Sequence, residues 1–213
     1  MKDFRHFSGG SFLISLLALG ITLGASCGHP QSAQSDQSNI ATTNNGVAHP
    51  MLTSTQALEI GYSALKNFPD RDKPGDIEVV PEKSLYRVRF FVVVTEDRQL
   101  DHLLEVSVDA ESGSVSKTED KGRVAGMPDR SVSQGWEKFV SAKQAFGAAN
   151  VAISGFEEYD KHGRLTVLLR KDVYYITFPL KQSEQTGSRA PDFATQVWVD
   201  ARAGKVLKRL VAS

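Results

Sequence analysis

The stretch Val197–Val206 (VWVDARAGKV) repeats the pattern of Val106–Val115 (VSVDAESGSV), which lies 91 positions earlier. In both, two valines two residues apart are followed by Asp-Ala-x-x-Gly and a further valine. Alternating apolar residues are typical of a half-buried strand, an Asp side chain can cap a tight turn, and Gly can adopt the positive φ that such a turn requires. Each stretch is therefore predicted to be a β-hairpin. The predicted structural turn residues are Asp109, Gly113, Asp200 and Gly204.

Two further blocks repeat in the same order upstream of the hairpins. Thr53–Leu58 (TSTQAL) matches Ser141–Phe146 (SAKQAF) at an offset of 88 residues. Each begins with a hydroxyl residue followed three positions later by Gln, which is the capping box of a helix N-terminus. At the same offset, Leu85–Phe90 (LYRVRF) matches Val173–Phe178 (VYYITF), and both alternate as half-buried antiparallel strands do.

The order of these blocks predicts an α+β fold of two tandem units, each with one helix packed on an antiparallel sheet of about four strands. The units are residues 53–118 and 135–213, and the polar segment 119–134 is the predicted linker. Val151–Tyr159 and Leu165–Arg170 are predicted to form an additional hairpin in the second unit. Because a unit of about 70 residues buries only roughly 60% of its unfolded surface, we expect the two units to pack against each other.

Residues 1–27 have the organisation of an export signal. Basic residues precede the apolar stretch Phe12–Leu23, which is shorter than the roughly 20 residues that span a bilayer. Small residues follow, as signal cleavage requires. The chain's single cysteine, Cys27, comes directly after them, and the arrangement resembles a bacterial lipoprotein signal, in which that cysteine is lipidated. Ordinary secretion is the alternative. Residues 28–52, rich in Gln, Ser, Asn and Thr, are predicted to be a disordered tether.

Composition and motifs exclude several functional classes. The 213 residues include 25 basic and 25 acidic side chains, so net charge gives no reason to expect nucleic acid as a partner. One Cys cannot form an internal disulfide framework or a Cys-based zinc site, and the five His show no ligand spacing. Ser63-x-x-Lys66 and Ser114-x-x-Lys117 stand without the companion motifs of acylating enzymes. We expect no enzymatic activity, no metal site and no cofactor.

The succession of helix, Tyr-x-Val strand and Val-x-Val-Asp-Ala-x-x-Gly-x-Val hairpin resembles the PepSY domain. Val197–Val206 matches better than Val106–Val115, in which Ser107 replaces the bulky Trp198. The resemblance implies two small cystatin-like modules, without catalytic residues, on an exported, membrane-bound or lipid-anchored bacterial protein. PepSY domains also occur in propeptides of secreted metallopeptidases, so the resemblance makes a peptidase one candidate partner.

Strand alternation also predicts a candidate partner-binding face. If Val197 and Val199 point to the core, Trp198 points to the opposite side of the sheet. Aromatic and Arg side chains are enriched at the energetic centres of protein interfaces. The alternative is that Trp198 and Tyr175 are buried against the other unit. The residues that share this parity are Arg87, Arg89, Tyr175 and Trp198.

These features predict a non-catalytic, exported and lipid-anchored module that binds a protein partner in the cell envelope through an exposed sheet face or edge strand. The alternative is a structural or assembly lipoprotein of the envelope. We expect the protein at a membrane, the outer one if the source has two membranes, or secreted if Cys27 is not lipidated.

Overall fold

The computed structural model describes residues 51–181 and 193–212. The predicted signal at 1–27, Cys27 and almost all of the tether at 28–52 lie outside these ranges, so they stay predictions. Within the described ranges, no helix is long and apolar enough to cross a membrane.

The described residues form an α+β fold with two α-helices and one antiparallel sheet of eight strands. The helices are α1 (Ser54–Ala64) and α2 (Ala142–Ala152). The strands are β1 (Gly75–Glu82), β2 (Leu85–Val93), β3 (Leu100–Asp109), β4 (Val115–Ala125), β5 (Leu165–Arg170), β6 (Val173–Phe178), β7 (Thr195–Asp200) and β8 (Val206–Val211). Short 3₁₀ turns lie at Pro69–Asp72, Pro128–Arg130 and Trp136–Lys138.

The strands follow the spatial order β4-β3-β2-β1-β5-β6-β7-β8. The chain therefore has an N-terminal half (α1 and β1 to β4) and a C-terminal half (α2 and β5 to β8), which share one continuous sheet. Antiparallel pairing of β1 with β5, here called the seam, joins the halves and removes two sheet edges that would otherwise expose unpaired backbone groups. The α+β class agrees with the sequence-based prediction, while the description of each half as a separate cystatin-like unit stays a prediction.

Pairing at the seam has the symmetry of a two-fold axis. Glu78 lies opposite Thr166, the residue 88 positions later that is its own counterpart in the second half. On either side, Ile77 pairs with Val167, which is the counterpart of Val79. Val79 in turn pairs with Leu165, which is the counterpart of Ile77. The two halves thus meet edge to edge in the way that two identical subunits would.

Both helices begin at complete capping boxes and cover the same face of the sheet. Thr53 with Gln56 caps α1, and Ser141 with Gln144 caps α2. The inward side chains form one continuous core that crosses the seam. Its largest fully buried apolar members include Leu58, Leu65, Ile77, Tyr86, Leu104, Phe146, Leu165, Leu169, Tyr174, Ile176 and Phe178.

Two segments differ from their predicted conformation. The predicted strand Val151–Tyr159 is wrong: α2 continues to Ala152, and only Tyr159 makes an isolated bridge, to Leu180. Helical spacing explains this, because Ala149 and Ile153 are both buried in the core. In addition, β4 runs on to Ala125, inside the segment 119–134 that the sequence analysis assigns to a linker.

Candidate functional site

The sheet surface opposite α1 and α2, here called the helix-free face, carries the candidate binding residues. Val197 and Val199 are fully buried, and Trp198 between them is half-buried on the other side. Burial alternates in the same way along β2 and β6, which places Arg87, Arg89 and Tyr175 on this face.

These side chains form two separate clusters on the helix-free face. Arg87 and Arg89 lie on β2, whereas Tyr175 lies on β6 and Trp198 on β7. Because β1 and β5 lie between, three strand spacings of ~4.8 Å put roughly 14 Å between β2 and β6. The structure does not bring the four residues together into one site.

Both arginines of the first cluster are held in ion pairs. Arg89 Nε donates to Glu105 Oε2 at 2.8 Å, and Arg87 Nη2 donates to Glu82 Oε2 at 2.7 Å. The hydrogen bond to Glu82, together with the charge of Glu105, raises the pKa of Arg87 above its usual value. The N-terminal half of the face is therefore charged but internally neutralised.

The second cluster is an oriented aromatic pair. The Tyr175 and Trp198 rings meet edge to face with centroids 5.1 Å apart. Trp198 Nε1 donates to Gln196 Oε1 at 2.8 Å, and Gln196 Nε2 donates to Thr177 Oγ1 at 3.3 Å. Lys208 Nζ lies 5.1 Å from the indole centroid. These contacts fix the orientation of two rings that remain half-exposed.

A row of eight side chains crosses the whole helix-free face and changes character at the seam. The row, from edge to edge, is Glu119, Glu105, Arg89, Glu78, Thr166, Thr177, Gln196 and Leu210. The first four are charged and the last four are their uncharged counterparts 88 or 91 positions later. The two halves therefore share one strand register, but along this row one half is charged and the other is uncharged.

An open groove of about 570 Å³, here called the seam groove, runs over β1, β5 and β6 at the centre of this face. The Glu78 side chain lies in it and is only 8% exposed. Arg164, which is 59% exposed, approaches Glu78 Oε1 through Nη2 at 3.3 Å. The charged and polar lining residues are Glu78, Arg130, Asp160, Arg164, Thr166 and Thr177.

A buried charge network lies beside this groove. Arg98, fully buried, donates from Nη1 to Asp76 Oδ1 at 3.0 Å and from Nη2 to Asp101 Oδ2 at 2.6 Å. Arg130 Nη1 lies 3.0 Å from Asp76 Oδ2. Asp76 Oδ1 also accepts from Leu169 N, and Arg98 donates to Leu169 O. Asp76 and Arg98 therefore bind the backbone of β5 at Leu169, just beyond Val167, the last residue of β5 that pairs with β1.

The sequence patterns do not single out Glu78, Arg164, Asp76 or Arg98. A signal for Glu78 exists, since it is an acid within the apolar run of β1 whose counterpart is Thr166. Within residues 51–181 and 193–212, no group of three His, Cys, Asp or Glu side chains is placed to hold a metal ion.

No protein-family model matches the chain, and no curated protein matches it at a significant level. The resemblance to PepSY therefore stays a prediction. Among solved structures, the chain is similar to a crystal structure described as that of a "putative lipoprotein" from Clostridium difficile 630. The identity is 14% and the TM-score 0.33, over 75% of this chain and 92% of that chain. Both values are too low to transfer a fold or a function.

Proposed function

We propose that this chain is a non-catalytic binding module of the cell envelope that engages a protein partner through the C-terminal half of its helix-free face. The main observation in support of this proposal is the change from charged to uncharged side chains along the eight-residue row. The proposal includes export through residues 1–27, lipid attachment at Cys27, two PepSY-like units, and a peptidase as one candidate partner.

Desolvation favours the C-terminal half over the N-terminal half. A partner that covered Arg89 would remove the remaining water from a guanidinium that is 30% exposed, which costs free energy unless new contacts compensate for it. Thr177 and Gln196 carry no charge, and the neighbouring aromatic rings gain ~25 cal/mol for each Å² of apolar area they bury. Along this row, covering the C-terminal half therefore removes less charge from water than covering the N-terminal half does.

The aromatic pair has the character of an interface anchor. Trp and Tyr are enriched among residues that dominate binding energy. Because Gln196 and Tyr175 already hold the Trp198 indole in place, little side-chain freedom is lost when a partner packs on it.

Photo-crosslinking in the native envelope tests this proposal with a matched control. A photoreactive residue at Leu210 reports on the C-terminal half of the row, and one at its counterpart Glu119 reports on the N-terminal half. We expect a specific protein adduct from position 210, none from position 119, and at least about a tenfold loss of the adduct with Trp198→Ala. An adduct from position 119 alone contradicts the proposal. A stoichiometric complex that is insensitive to Trp198→Ala also contradicts it, and favours a structural or assembly lipoprotein.

The lipid anchor has a test of its own. We expect palmitate label on the unmutated chain and none on Cys27→Ala. An unlabelled wild-type chain would remove the anchor from the proposal without affecting the binding face.

A further inference from the structure

We infer that the seam groove receives a basic side chain, lysine or arginine, of an extended segment of the partner, and that this cation binds Glu78 in place of Arg164. The inference rests on the proposed function, because the groove spans β5 and β6 of the C-terminal half together with the adjoining β1, so a partner on that half also reaches Glu78. It concerns residues outside the aromatic pair.

Glu78 has the burial and accessibility of a binding carboxylate. Its side chain is 8% exposed, yet it lines the seam groove. Oε1 meets Arg164, and Oε2 has no hydrogen-bond partner among the described residues. A carboxylate that is largely removed from water binds a cation more strongly than an exposed one does. The groove therefore holds one oxygen atom available to a ligand cation.

Arg164 occupies the place that we assign to the ligand. Its guanidinium shows that a planar cation can reach Glu78 from the groove. The contact is a single N–O approach of 3.3 Å, and the arginine is 59% exposed. Because the guanidinium is already mostly in water, Arg164 loses little solvation when it binds and regains little when it leaves, and a better-enclosed cation can take over the charge of Glu78.

The remaining lining residues favour a cationic over an anionic ligand. Arg130 Nη1 is paired with Asp76 at 3.0 Å, so its charge is already balanced by a buried carboxylate. Asp160 adds a second carboxylate to the lining. With Arg164 displaced, the charged lining groups are Glu78, Asp160 and Arg130, and Asp76 already balances the charge of Arg130.

The shape of the groove favours an extended peptide as carrier of the cation. The lining includes Glu78 and Val80 along β1 and Thr166 and Leu168 along β5, and Pro179 and Leu180 also belong to it. Apolar contacts beside a single buried acid suit a side chain with an aliphatic stem and a charged tip, which is the structure of lysine and arginine.

Two variants with opposite expected effects test the inference on the full chain in detergent. The probe is the acetylated, amidated peptide Ala-Val-Lys-Val-Ala with an uncharged fluorophore, and binding is measured by fluorescence anisotropy at pH 7.5. We expect Glu78→Gln to weaken binding at least about tenfold, since a charge-assisted hydrogen bond is lost. We expect Arg164→Ala to strengthen it about threefold or more, because the competing internal cation is gone.

Matched controls separate the groove from general electrostatics. Glu82 lies on β1, as Glu78 does, but it pairs with Arg87 and does not line the groove. Glu82→Gln should therefore leave peptide binding within about twofold of the wild-type value. Peptides with norleucine or glutamate in place of lysine should bind at least about tenfold more weakly. Equal binding of the lysine and norleucine peptides overturns the inference, as does weaker binding by Arg164→Ala in a variant that melts like wild type.

The photo-crosslinking experiment distinguishes failure of this inference from failure of the proposed function. If Glu78→Gln keeps the full adduct at position 210 while Trp198→Ala loses it, the face binds a partner but the groove does not receive its cation. If neither wild type nor any variant gives an adduct, the proposed function itself fails.

Discussion

The hydroxyl of Tyr174 donates a hydrogen bond to the carbonyl oxygen of Val140 at 2.7 Å. Tyr86, 88 positions earlier, makes the equivalent bond to Leu52 at 2.7 Å. In each half, this bond ties the second strand to the residue that precedes the helix N-cap. Burial raises the pKa of both hydroxyls, so they remain protonated donors.

Removing the Tyr174 hydroxyl should destabilise the fold. Tyr174→Phe leaves the Val140 carbonyl without this donor, and an unsatisfied buried polar group costs ~1–3 kcal/mol. We expect that loss in the free energy of unfolding measured with urea. Tyr175→Phe is the control, because its half-exposed ring has no hydroxyl hydrogen bond among the described residues, and we expect a change below about 0.5 kcal/mol. Equal effects of the two variants would contradict the assignment.

Truncating Arg98 should be more damaging than breaking any exposed ion pair. Arg98→Met leaves the fully buried Asp76 and Asp101 without their shared cation, and loss of one partner of a buried pair costs ~3–5 kcal/mol. Arg170→Met, which breaks an exposed pair with Asp129, should cost less than about 1 kcal/mol. Urea unfolding of both variants measures the difference, and an Arg98→Met protein as stable as wild type would contradict the role of the network.

Stability should fall as pH rises through the pKa of His102. The imidazole bridges Asp120 at 2.6 Å and Asp70 at 3.2 Å, and the hydrogen bond to Asp120 is the main cause that raises its pKa above 6.5. A raised folded-state pKa adds stability that is complete below pH ~6.5 and disappears above the folded value. We expect wild type to lose this increment between pH 6 and 9 in urea unfolding, and His102→Gln to show a flatter profile. Identical profiles would exclude this coupling.

Two glycines should respond to Ala with opposite signs. A Cβ at Gly75 would lie 2.1 Å from the carbonyl oxygen of Phe91 on the neighbouring strand, so Gly75→Ala must displace backbone. A Cβ at Gly147, within α2, meets nothing within 4 Å. We expect Gly147→Ala to stabilise the protein by ~0.5–1 kcal/mol, and Gly75→Ala to lower the melting temperature clearly. Thermal unfolding of both variants measures these effects. An unchanged melting temperature for Gly75→Ala would show that β1 and β2 can separate without cost.

The sequence by itself determined the local elements. The capping boxes at Thr53 and Ser141 and the alternation along β2 and β6 depend on residues within a few positions of one another, and period-two burial follows from strand geometry alone. The same alternation predicts, without any knowledge of the strand order, that Arg87, Arg89, Tyr175 and Trp198 lie on one face of the sheet.

Only the tertiary structure decided how the halves join and what the join creates. Local periodicity does not encode which strand edge pairs with which, so the β1–β5 seam, the burial of Arg98 from a polar stretch, and the position of Glu78 in a groove became visible only in three dimensions. The physical reason is that the unpaired N–H and C=O groups of an edge strand can form hydrogen bonds with any other edge strand. The pairing chosen here sets Glu78 opposite its own counterpart Thr166, where the charged and uncharged halves of the face meet.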